Sequence, residues 1–170
     1  MGFWVSAIGV CLAKKRGRTI VITGDGCLQM NIQEFATLKH NNLPIKVFIV
    51  NNNGYLLIRH TQMTHMENRL LGESSSTGLW CPDSIKVARA YGIKAVKIKT
   101  TKGIDAKIKE VLQYPGPVIC DVDSPAWQAI IPRISSEKQK DGRMVSKPYE
   151  DLAPFLDRKE FAWAMSIENA

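Results

Sequence analysis

The stretch "TIVITGDGCLQMN", residues 19–31, is an apolar run that ends at Gly-Asp-Gly. Its β-branched residues, bounded by Gly17 and Gly24, predict a short strand over residues 19–23. A lone carboxylate between two glycines cannot belong to a core, and glycine lets the backbone approach a ligand closely. The stretch therefore predicts a strand followed by a ligand-binding turn around Asp25.

A second stretch, "VFIVNNNGY" at residues 47–55, repeats this arrangement with asparagines in place of the aspartate. The nearly continuous apolar character of residues 44–51 is expected of a strand that is covered on both faces. Parallel α/β sheets bind ligands outside the carboxyl ends of their strands. Both turns follow predicted strands, and this placement is the first indication of function.

The rest of the first 123 residues alternates in the same way. Strand, helix, strand, helix is typical of βαβ units and of a parallel sheet, so we expect an α/β fold. Helices are predicted near 4–15, 30–41, 82–92 and 103–116, and further strands at 94–100 and 117–123. The helix at 82–92 begins at Asp83 or Ser84 and ends at Gly92.

Two segments lack this alternation. Residues 53–83 show no clean period, and such a long connection in a compact domain is usually functional, often as a lid over a site. Beyond Asp123 no strand is predicted, and two short helices are expected near 148–156 and 158–167. We therefore expect a domain at 1–134 and a mostly helical C-terminal tail at 135–170.

Composition narrows the class of protein. The chain has 170 residues, of which 45% are hydrophobic and 23% charged, as in soluble globular proteins. No apolar run approaches the roughly 18 residues of a membrane-spanning helix, and the N-terminal charges follow the apolar part, unlike a secretory signal. These features predict a cytoplasmic protein that does not associate with a membrane.

The net charge of +7 raises the question of whether the protein binds nucleic acid. The densest basic cluster, "KKRGR" at 14–18, follows a predicted helix, where lysine and arginine interact favourably with the helix dipole. No nucleic-acid-binding signature accompanies it, so no nucleic-acid partner is expected. The cysteines form no CxxC pair, which favours reduced thiols and gives no local sign of a transition-metal site; they are Cys11, Cys27, Cys81 and Cys120.

The two turns together suggest a specific chemistry. Backbone amides that enter a helix at residues 27–29 would bind phosphate, but Asp25 beside them would repel it unless a cation lies between. Mg²⁺ prefers oxygen ligands, and an asparagine side chain from the second turn plus a backbone carbonyl two residues later would add to the carboxylate. The alternatives are an Asx turn or helix cap at Asp25 and a plain turn at "NNNGY".

Here the residues resemble a family. Gly-Asp-Gly at 24–26, followed one helix and one strand later by the asparagines of "NNN", is similar to the signature of thiamine diphosphate enzymes, and residues 30–53 resemble the cofactor domain of acetolactate synthase and its relatives. "MGFWVSAIG" at 1–9 and "GPVICDVDSPAWQAIIPRI" at 116–134 are similar too. The resemblance implies a three-layer, doubly wound parallel sheet, here apparently without its first strand.

The resemblance also implies roles for residues. Asp25 and Asn52 would bind Mg²⁺ through their side chains, and Gly54 through its carbonyl. Gly26 and Cys27 would donate amides to the diphosphate. The remaining implied cofactor contacts are Gly24 in the first motif, Tyr55 and Leu56 in the second loop, Leu57 and Ile58 at the thiazolium end, and Met1, which would hold thiamine in its bent shape.

The sequence departs from the family in several places. Ser6 replaces a proline, and Cys27 replaces a frequent serine, which leaves a nucleophilic cysteine as the alternative to a simple amide donor. "NGYLLIRHTQ" at 53–62 lacks the Gly-Met-Val and tryptophan of the family, so the acetolactate reaction itself is not implied. Arg59, His60 and Gln62 either face a substrate or are solvated loop side chains.

Complete enzymes of this family also carry a pyrimidine-binding domain whose glutamate activates the cofactor. No such domain fits in this sequence, and Glu34 and Glu67 lie on the wrong side of the motifs to replace that glutamate. We therefore expect the cofactor-binding portion of a 2-oxo acid carboligase or decarboxylase, inactive alone and acting in an oligomer with a pyrimidine-binding domain. The alternative is a catalytically inactive interaction or regulatory module, and a dinucleotide-binding domain ranks last because GxGxxG is absent.

Overall fold

The parallel sheet predicted from the alternating pattern is present in the computed structural model, which describes residues 3–166 apart from the side chains of Phe3 and Lys138. The chain divides into two compact units, Met1–Trp127 and Gln128–Ala170. The first unit holds the four parallel strands, which are β1 (Thr19–Gly24), β2 (Ile45–Asn51), β3 (Lys94–Ile98) and β4 (Val118–Asp123).

The sheet has the strand order β1-β2-β4-β3, with every neighbouring pair parallel. The last register pair between β1 and β2 is Gly24 with Val50, so these two strands end at the same edge of the sheet. Because both predicted turns begin at this edge, the fold brings the Gly-Asp-Gly turn next to the asparagine turn.

Helices cover both faces of the sheet. The helices of this unit are α1 (Ser6–Ala13), α2 (Asp25–Gln29), α3 (Phe35–His40), α4 (Leu56–His65), α5 (Ser84–Ala90) and α6 (Ile104–Gln113). One core joins α1, α3 and α5 to the odd-numbered residues of β1 and β2, and a second core joins α6 to β3 and β4. This three-layer α/β arrangement confirms the predicted fold class. None of the helices within residues 3–166 has the length and apolar character needed to cross a bilayer.

The predicted cap of α5 is confirmed. The Asp83 carboxylate accepts hydrogen bonds from the amides of Ile85 at 2.9 Å and Lys86 at 3.1 Å, as an N-cap aspartate does. These bonds hold the pKa of Asp83 below its ordinary value, with the bond from Lys86 as the largest cause. At the other end Gly92 adopts a positive φ of 69°, which suits glycine and ends the helix.

Two predictions of local structure were wrong. The continuous helix predicted for 30–41 is interrupted, because Asn31 leaves the helical region with a φ of −141°, and a short 3-10 helix (Ile32–Glu34) separates α2 from α3. The segment 53–83, predicted to be irregular, contains the ten-residue helix α4. A 3-10 turn (Ser75–Thr77) follows it, so only part of this segment is loop.

One lysine lies where the pattern predicts an apolar strand. Lys46 in β2 is fully buried, and its ammonium group donates to the backbone carbonyls of Tyr114 and Gly116. Tyr114 caps the carboxyl end of α6, where free carbonyls and the helix dipole favour a cation. The buried charge is therefore satisfied by the helix end.

The second unit, Gln128–Ala170, contains an antiparallel hairpin of β5 (Ser136–Lys138) and β6 (Met144–Ser146), followed by α7 (Arg158–Ser166). The helix predicted near 158–167 is thus confirmed for its described part. The helix predicted near 148–156 was wrong, and so was the absence of strands from this segment. Ala153 instead pairs with Arg133 in an antiparallel bridge, and Pro154 has no amide hydrogen to continue a helix.

Candidate functional site

The Asp25 carboxylate lies where the two turns meet. Asp25 follows β1 directly, at the start of α2, and is only 6% exposed. One carboxylate oxygen, Oδ1, accepts from the amide of Gly26 at 2.9 Å, and the other, Oδ2, accepts from the amide of Gly54 at 2.9 Å. A side chain of the first turn therefore contacts the backbone of the second, as the sequence predicted from their positions at strand ends.

The electrostatic environment of Asp25 is unfavourable for a negative charge. Burial raises the pKa of the carboxyl above its ordinary value, and the hydrogen bonds from Gly54 and Gly26 offset this only in part. Asp121 nearby raises the pKa further. Among residues 3–166 no lysine or arginine forms an ion pair with Asp25. The ionised carboxylate would therefore be stabilised by a cation from outside the chain.

Asn52 presents a second unsatisfied oxygen. The residue is buried, and its Oδ1 has no hydrogen-bond partner within the part of the chain that the structure describes. A buried polar atom without a partner is costly and calls for an explanation such as an ion. The neighbouring Asn51 differs, because its Oδ1 accepts from the amide of Asn53 at 3.1 Å. Unlike that of Asn51, the buried side-chain oxygen of Asn52 is therefore available to a ligand.

Two glycines make the close approach of the turns possible. A Cβ on Gly26 would lie 2.1 Å from Cε1 of the Tyr55 ring, so the ring packs directly on the first turn. Gly54 has a φ of 145°, and a Cβ there would lie 2.0 Å from the backbone oxygen of Glu73. Both positions therefore require glycine, Gly26 for space and Gly54 for space and conformation.

Replacing Gly26 by alanine should lower the free energy of unfolding by about 1 to 3 kcal/mol, because the Tyr55 ring must be displaced. The second substitution Tyr55→Ala should recover part of this loss by removing the clash. Gly24→Ala is the control, since a Cβ there meets nothing within 4 Å. Urea unfolding followed by circular dichroism measures all three, and a Gly26→Ala loss no larger than that of Gly24→Ala would contradict the packing described here.

Two cavities flank the turn that follows β2. A cavity of about 430 Å³ lies on the side of Asp25, and another of about 470 Å³ on the side of Gly54. Asn53, Trp80 and Cys81 line both of them. Part of the segment predicted to act as a lid therefore borders the site, although its movement stays a prediction. Burial, together with Asp25, raises the pKa of the Cys81 thiol, so this thiol is held in its protonated form.

A cluster of polar side chains that the sequence analysis missed lies beside Asp25. Asp121 in β4 is buried. Its carboxylate accepts from the side-chain Nδ2 of Asn51 at 3.1 Å, from the Lys97 ammonium at 2.7 Å and from the Ser84 hydroxyl. Lys97 also pairs with Asp123. The only sequence signal was a charged residue inside an otherwise apolar strand. With its carboxylate already paired, Asp121 supports the strand ends.

The other predicted cofactor contacts are placed as follows. Leu57, 71% exposed, and Ile58 project from α4 toward solvent in this chain, whereas Leu56 is half-buried. Cys27 is exposed in the first turn of α2, next to the half-buried Gly24. The amide of Gly26, predicted to bind diphosphate, donates to Asp25 here. The remaining predicted contact, Met1, lies outside the described residues.

The predictions for Arg59 and Gln62 need correction. Neither is a loop side chain, because both belong to α4, and Arg59 is buried and paired with Glu73, so it is not solvated. Gln62 donates to the backbone oxygen of Leu71 at 2.9 Å and accepts from the Leu71 amide at 3.0 Å. Gln62 therefore ties α4 to the following loop. His60 lies on the same helix, half-buried.

The donor atoms at this site suit a hard cation. Within residues 3–166 no group of three or more His, Cys, Asp or Glu side chains is arranged to hold a metal. A carboxylate, an amide oxygen and a backbone carbonyl form a different kind of set, made of oxygens alone. Mg²⁺ is commonly bound by one or two protein oxygens, with phosphate and water oxygens completing its octahedron. Asp25 and Asn52 therefore fit this ion.

Comparison with known proteins places the chain in a family that binds a diphosphate cofactor. The family described as "Thiamine pyrophosphate enzyme, C-terminal TPP binding domain" matches residues 1–122. The chain is 34% identical over 122 residues to the acetolactate synthase large subunit of Cyanidium caldarium, covering 71% of this chain and 20% of that protein. It is 33% identical over 141 residues to the chloroplastic acetolactate synthase 2 of Zea mays, covering 80% and 22%.

A third relative, the acetolactate synthase large subunit of Porphyra purpurea, is 30% identical over 155 residues, covering 90% of this chain and 26% of the relative. The chain thus spans about a fifth to a quarter of the length of these proteins. The similarity includes both turns at the edge of the sheet, because the matched residues 1–122 contain them.

Proposed function

The chain belongs to the thiamine pyrophosphate enzymes, as their C-terminal TPP-binding domain, and on this premise we propose that it binds the diphosphate of the cofactor through Mg²⁺ at Asp25, Asn52 and Gly54. The observation that carries the proposal is the coincidence of two unbalanced buried groups: a carboxylate without a cationic partner among the described residues, and the amide oxygen of Asn52 without a hydrogen bond. A divalent cation would satisfy both groups.

Each residue has a distinct role in this proposal. Asp25 and Asn52 hold the ion through their side chains, and Gly54 adds its carbonyl. The amides of Gly26 and Cys27 would donate to the diphosphate in the loaded site. The Asp25 carboxylate and the diphosphate would repel each other in a buried site, and a cation held by Asp25 and Asn52 would remove this repulsion.

The proposed reaction class follows from the cofactor. When bound, thiamine diphosphate supplies stabilisation of a carbanion at the carbonyl carbon of a 2-oxo acid. We propose that the chain is part of a 2-oxo acid carboligase or decarboxylase that resembles acetolactate synthase. A pyrimidine-binding domain, from another chain or from the same longer protein, would complete the site in an oligomer. Leu57 and Ile58, exposed here, would then lie near the thiazolium end.

Calorimetry with two probes tests this proposal. The chain is titrated with thiamine diphosphate and, separately, with inorganic pyrophosphate, each in the presence of Mg²⁺ and again in excess chelator. Binding of both probes only with Mg²⁺ is expected, because the ion links the carboxylate to the phosphates. A protein that is folded by circular dichroism yet binds neither probe with Mg²⁺ would overturn the proposal and favour the catalytically inactive interaction module.

A further inference from the structure

A buried ion pair lies behind the asparagine turn. Arg59 in α4 and Glu73 in the loop that follows are 2% and 1% exposed, and Nε of Arg59 donates to Oε2 of Glu73. Nη1 of Arg59 donates to the backbone oxygen of Ala126, and its guanidinium lies 4.8 Å from the centroid of the Trp127 ring. The arginine is thus held on several sides, with all these contacts inside the first unit of the chain.

Glu73 is satisfied just as fully. Its Oε1 accepts from the Ser74 hydroxyl at 2.6 Å and from the Thr77 hydroxyl at 3.1 Å. Burial acts to raise the pKa of the carboxyl, but the hydrogen bonds from Ser74, Arg59 and Thr77 outweigh it and hold the pKa below its ordinary value. The lowered pKa favours the ionised form of Glu73. Hydrogen-bond partners for both members are the condition under which a buried ion pair is tolerated.

The backbone of Glu73 contacts the proposed metal loop directly. Its carbonyl oxygen accepts from the amide of Tyr55 at 2.8 Å, and it lies so close to Gly54 that a Cβ there would be 2.0 Å away. The amide of Gly54 in turn donates to Asp25. A continuous series of contacts therefore runs from Arg59 through Glu73 and Gly54 to the carboxylate.

We propose that the Arg59–Glu73 pair positions the turn at Asn52–Tyr55 by holding the Glu73 carbonyl against Gly54, so that the turn meets Asp25 in the geometry that binds the ion. These two residues are positioning residues, since both side chains are buried and paired with each other. The identity of the ion and ligand rests on the proposed function above, whereas the mechanical part of the inference rests only on the contacts just described.

A stability role alone would not require this pair. Well-packed apolar side chains of similar volume often replace a buried ion pair without loss of stability. They cannot, however, reproduce the hydrogen bonds that fix the Glu73 carboxylate, nor the bond from Nη2 of Arg59 to the Glu73 carbonyl oxygen at 3.4 Å. Stability and positioning can therefore be separated by experiment.

The test compares Glu73→Gln with the double variant Arg59→Met, Glu73→Leu. Glu73→Gln keeps the shape of the side chain and removes its charge, and the double variant leaves no unpaired buried charge. The matched control is Glu67→Gln, which breaks the exposed Arg69–Glu67 pair in the same segment, where the side chains are 80% and 78% exposed. Each variant is titrated with pyrophosphate and Mg²⁺, and its melting temperature is measured.

Glu73→Gln is expected to raise the dissociation constant for Mg²⁺–pyrophosphate about tenfold or more, as loss of an outer-shell partner does. The double variant should have a melting temperature close to that of the wild type but bind Mg²⁺–pyrophosphate as weakly as Glu73→Gln. Glu67→Gln should change neither the melting temperature nor the binding. If the double variant binds as tightly as the wild type, or if Glu73→Gln leaves binding unchanged, the pair does not position the turn and the inference is overturned.

Hydrogen exchange of the amides of Gly54 and Tyr55, measured without ligand, keeps the inference separate from the proposed function. Faster exchange of these amides in folded Glu73→Gln supports the positioning role even if the wild type fails to bind Mg²⁺–pyrophosphate, a failure that would overturn the proposed function alone. Unchanged exchange in Glu73→Gln overturns the inference whatever the outcome of the titrations.

Discussion

Asp25→Asn should abolish Mg²⁺-dependent binding of thiamine diphosphate, with an affinity loss of more than about 100-fold, or about 2.7 kcal/mol. Asparagine has nearly the same shape, but it lacks the negative charge that would hold the ion in this buried turn. The free energy of unfolding should stay within about 1 kcal/mol of the wild type, because the relief of a buried charge offsets the loss of one hydrogen-bond acceptor.

The matched control for this prediction is Asp83→Asn. Asp83 lines the same cavity as Asp25, and asparagine replaces aspartate well as an N-cap, so neither binding nor stability should change appreciably. Calorimetric titrations of both variants, in parallel with urea unfolding, make the comparison. Retention by Asp25→Asn of an affinity within about threefold of the wild type, on the same calorimetric scale, would show that this carboxylate does not hold the ion.

Gly54→Ala should be the most destabilising single glycine substitution in the site, with a loss of about 3 kcal/mol or more. The φ of 145° is strained for alanine, and the new Cβ would lie 2.0 Å from the Glu73 backbone oxygen, which cannot move away as a flexible side chain could. If the chain stays folded, the displaced turn should also lose Mg²⁺–pyrophosphate binding.

Gly72→Ala separates the backbone strain expected in Gly54→Ala from its steric clash with Glu73. Gly72 has a φ of 63°, but a Cβ there meets nothing within 4 Å, so only conformational strain of about 1 to 2 kcal/mol is expected. Denaturant unfolding of both variants measures the difference, which reports the steric part. Equal losses for Gly54→Ala and Gly72→Ala would mean that the contact between Gly54 and Glu73 is not tight in solution.

The strands and the two turns could be predicted because their signals are local. Apolar β-branched runs bounded by glycine identify β1 and β2, and the carboxyl ends of parallel strands lie at the same edge of a sheet, so the meeting of Asp25 with the second turn followed from the order of elements. The cap at Asp83 was equally local. The oxygen donors of the two turns also suggested Mg²⁺, and the family resemblance added the cofactor.

Helix α4 was not predicted because its buried and exposed residues are the reverse of those in an amphipathic helix. Its buried residue is Arg59, whereas Leu57, Ile58 and Met63 are exposed, so no apolar face with a helical period exists in the sequence. The partner of Arg59 lies fourteen residues away across a loop, a distance for which the sequence holds no rule. The positioning pair therefore became visible only in three dimensions.

The hairpin of β5 and β6 was also not predicted, although a signal for it was present in the sequence. Asp141-Gly142 lies between the two short strands, and Asp-Gly is a common hairpin turn. The four prolines of the segment beyond Asp123 instead accompanied an interpretation without strands. At Ala153 the pairing with Arg133 competes with helix formation, and this pairing is again a long-range contact.

The most direct measurement of the central claim is the position of the ion itself. Crystals of the chain grown with Mn²⁺ in place of Mg²⁺ and with pyrophosphate would reveal the metal by its anomalous scattering. We expect one peak with the Asp25 carboxylate and the Asn52 Oδ1 both at about 2.0 to 2.2 Å, and with pyrophosphate oxygens among its other ligands. Pyrophosphate bound at the sheet edge with no metal at these oxygens, or a metal bound elsewhere, would contradict the account.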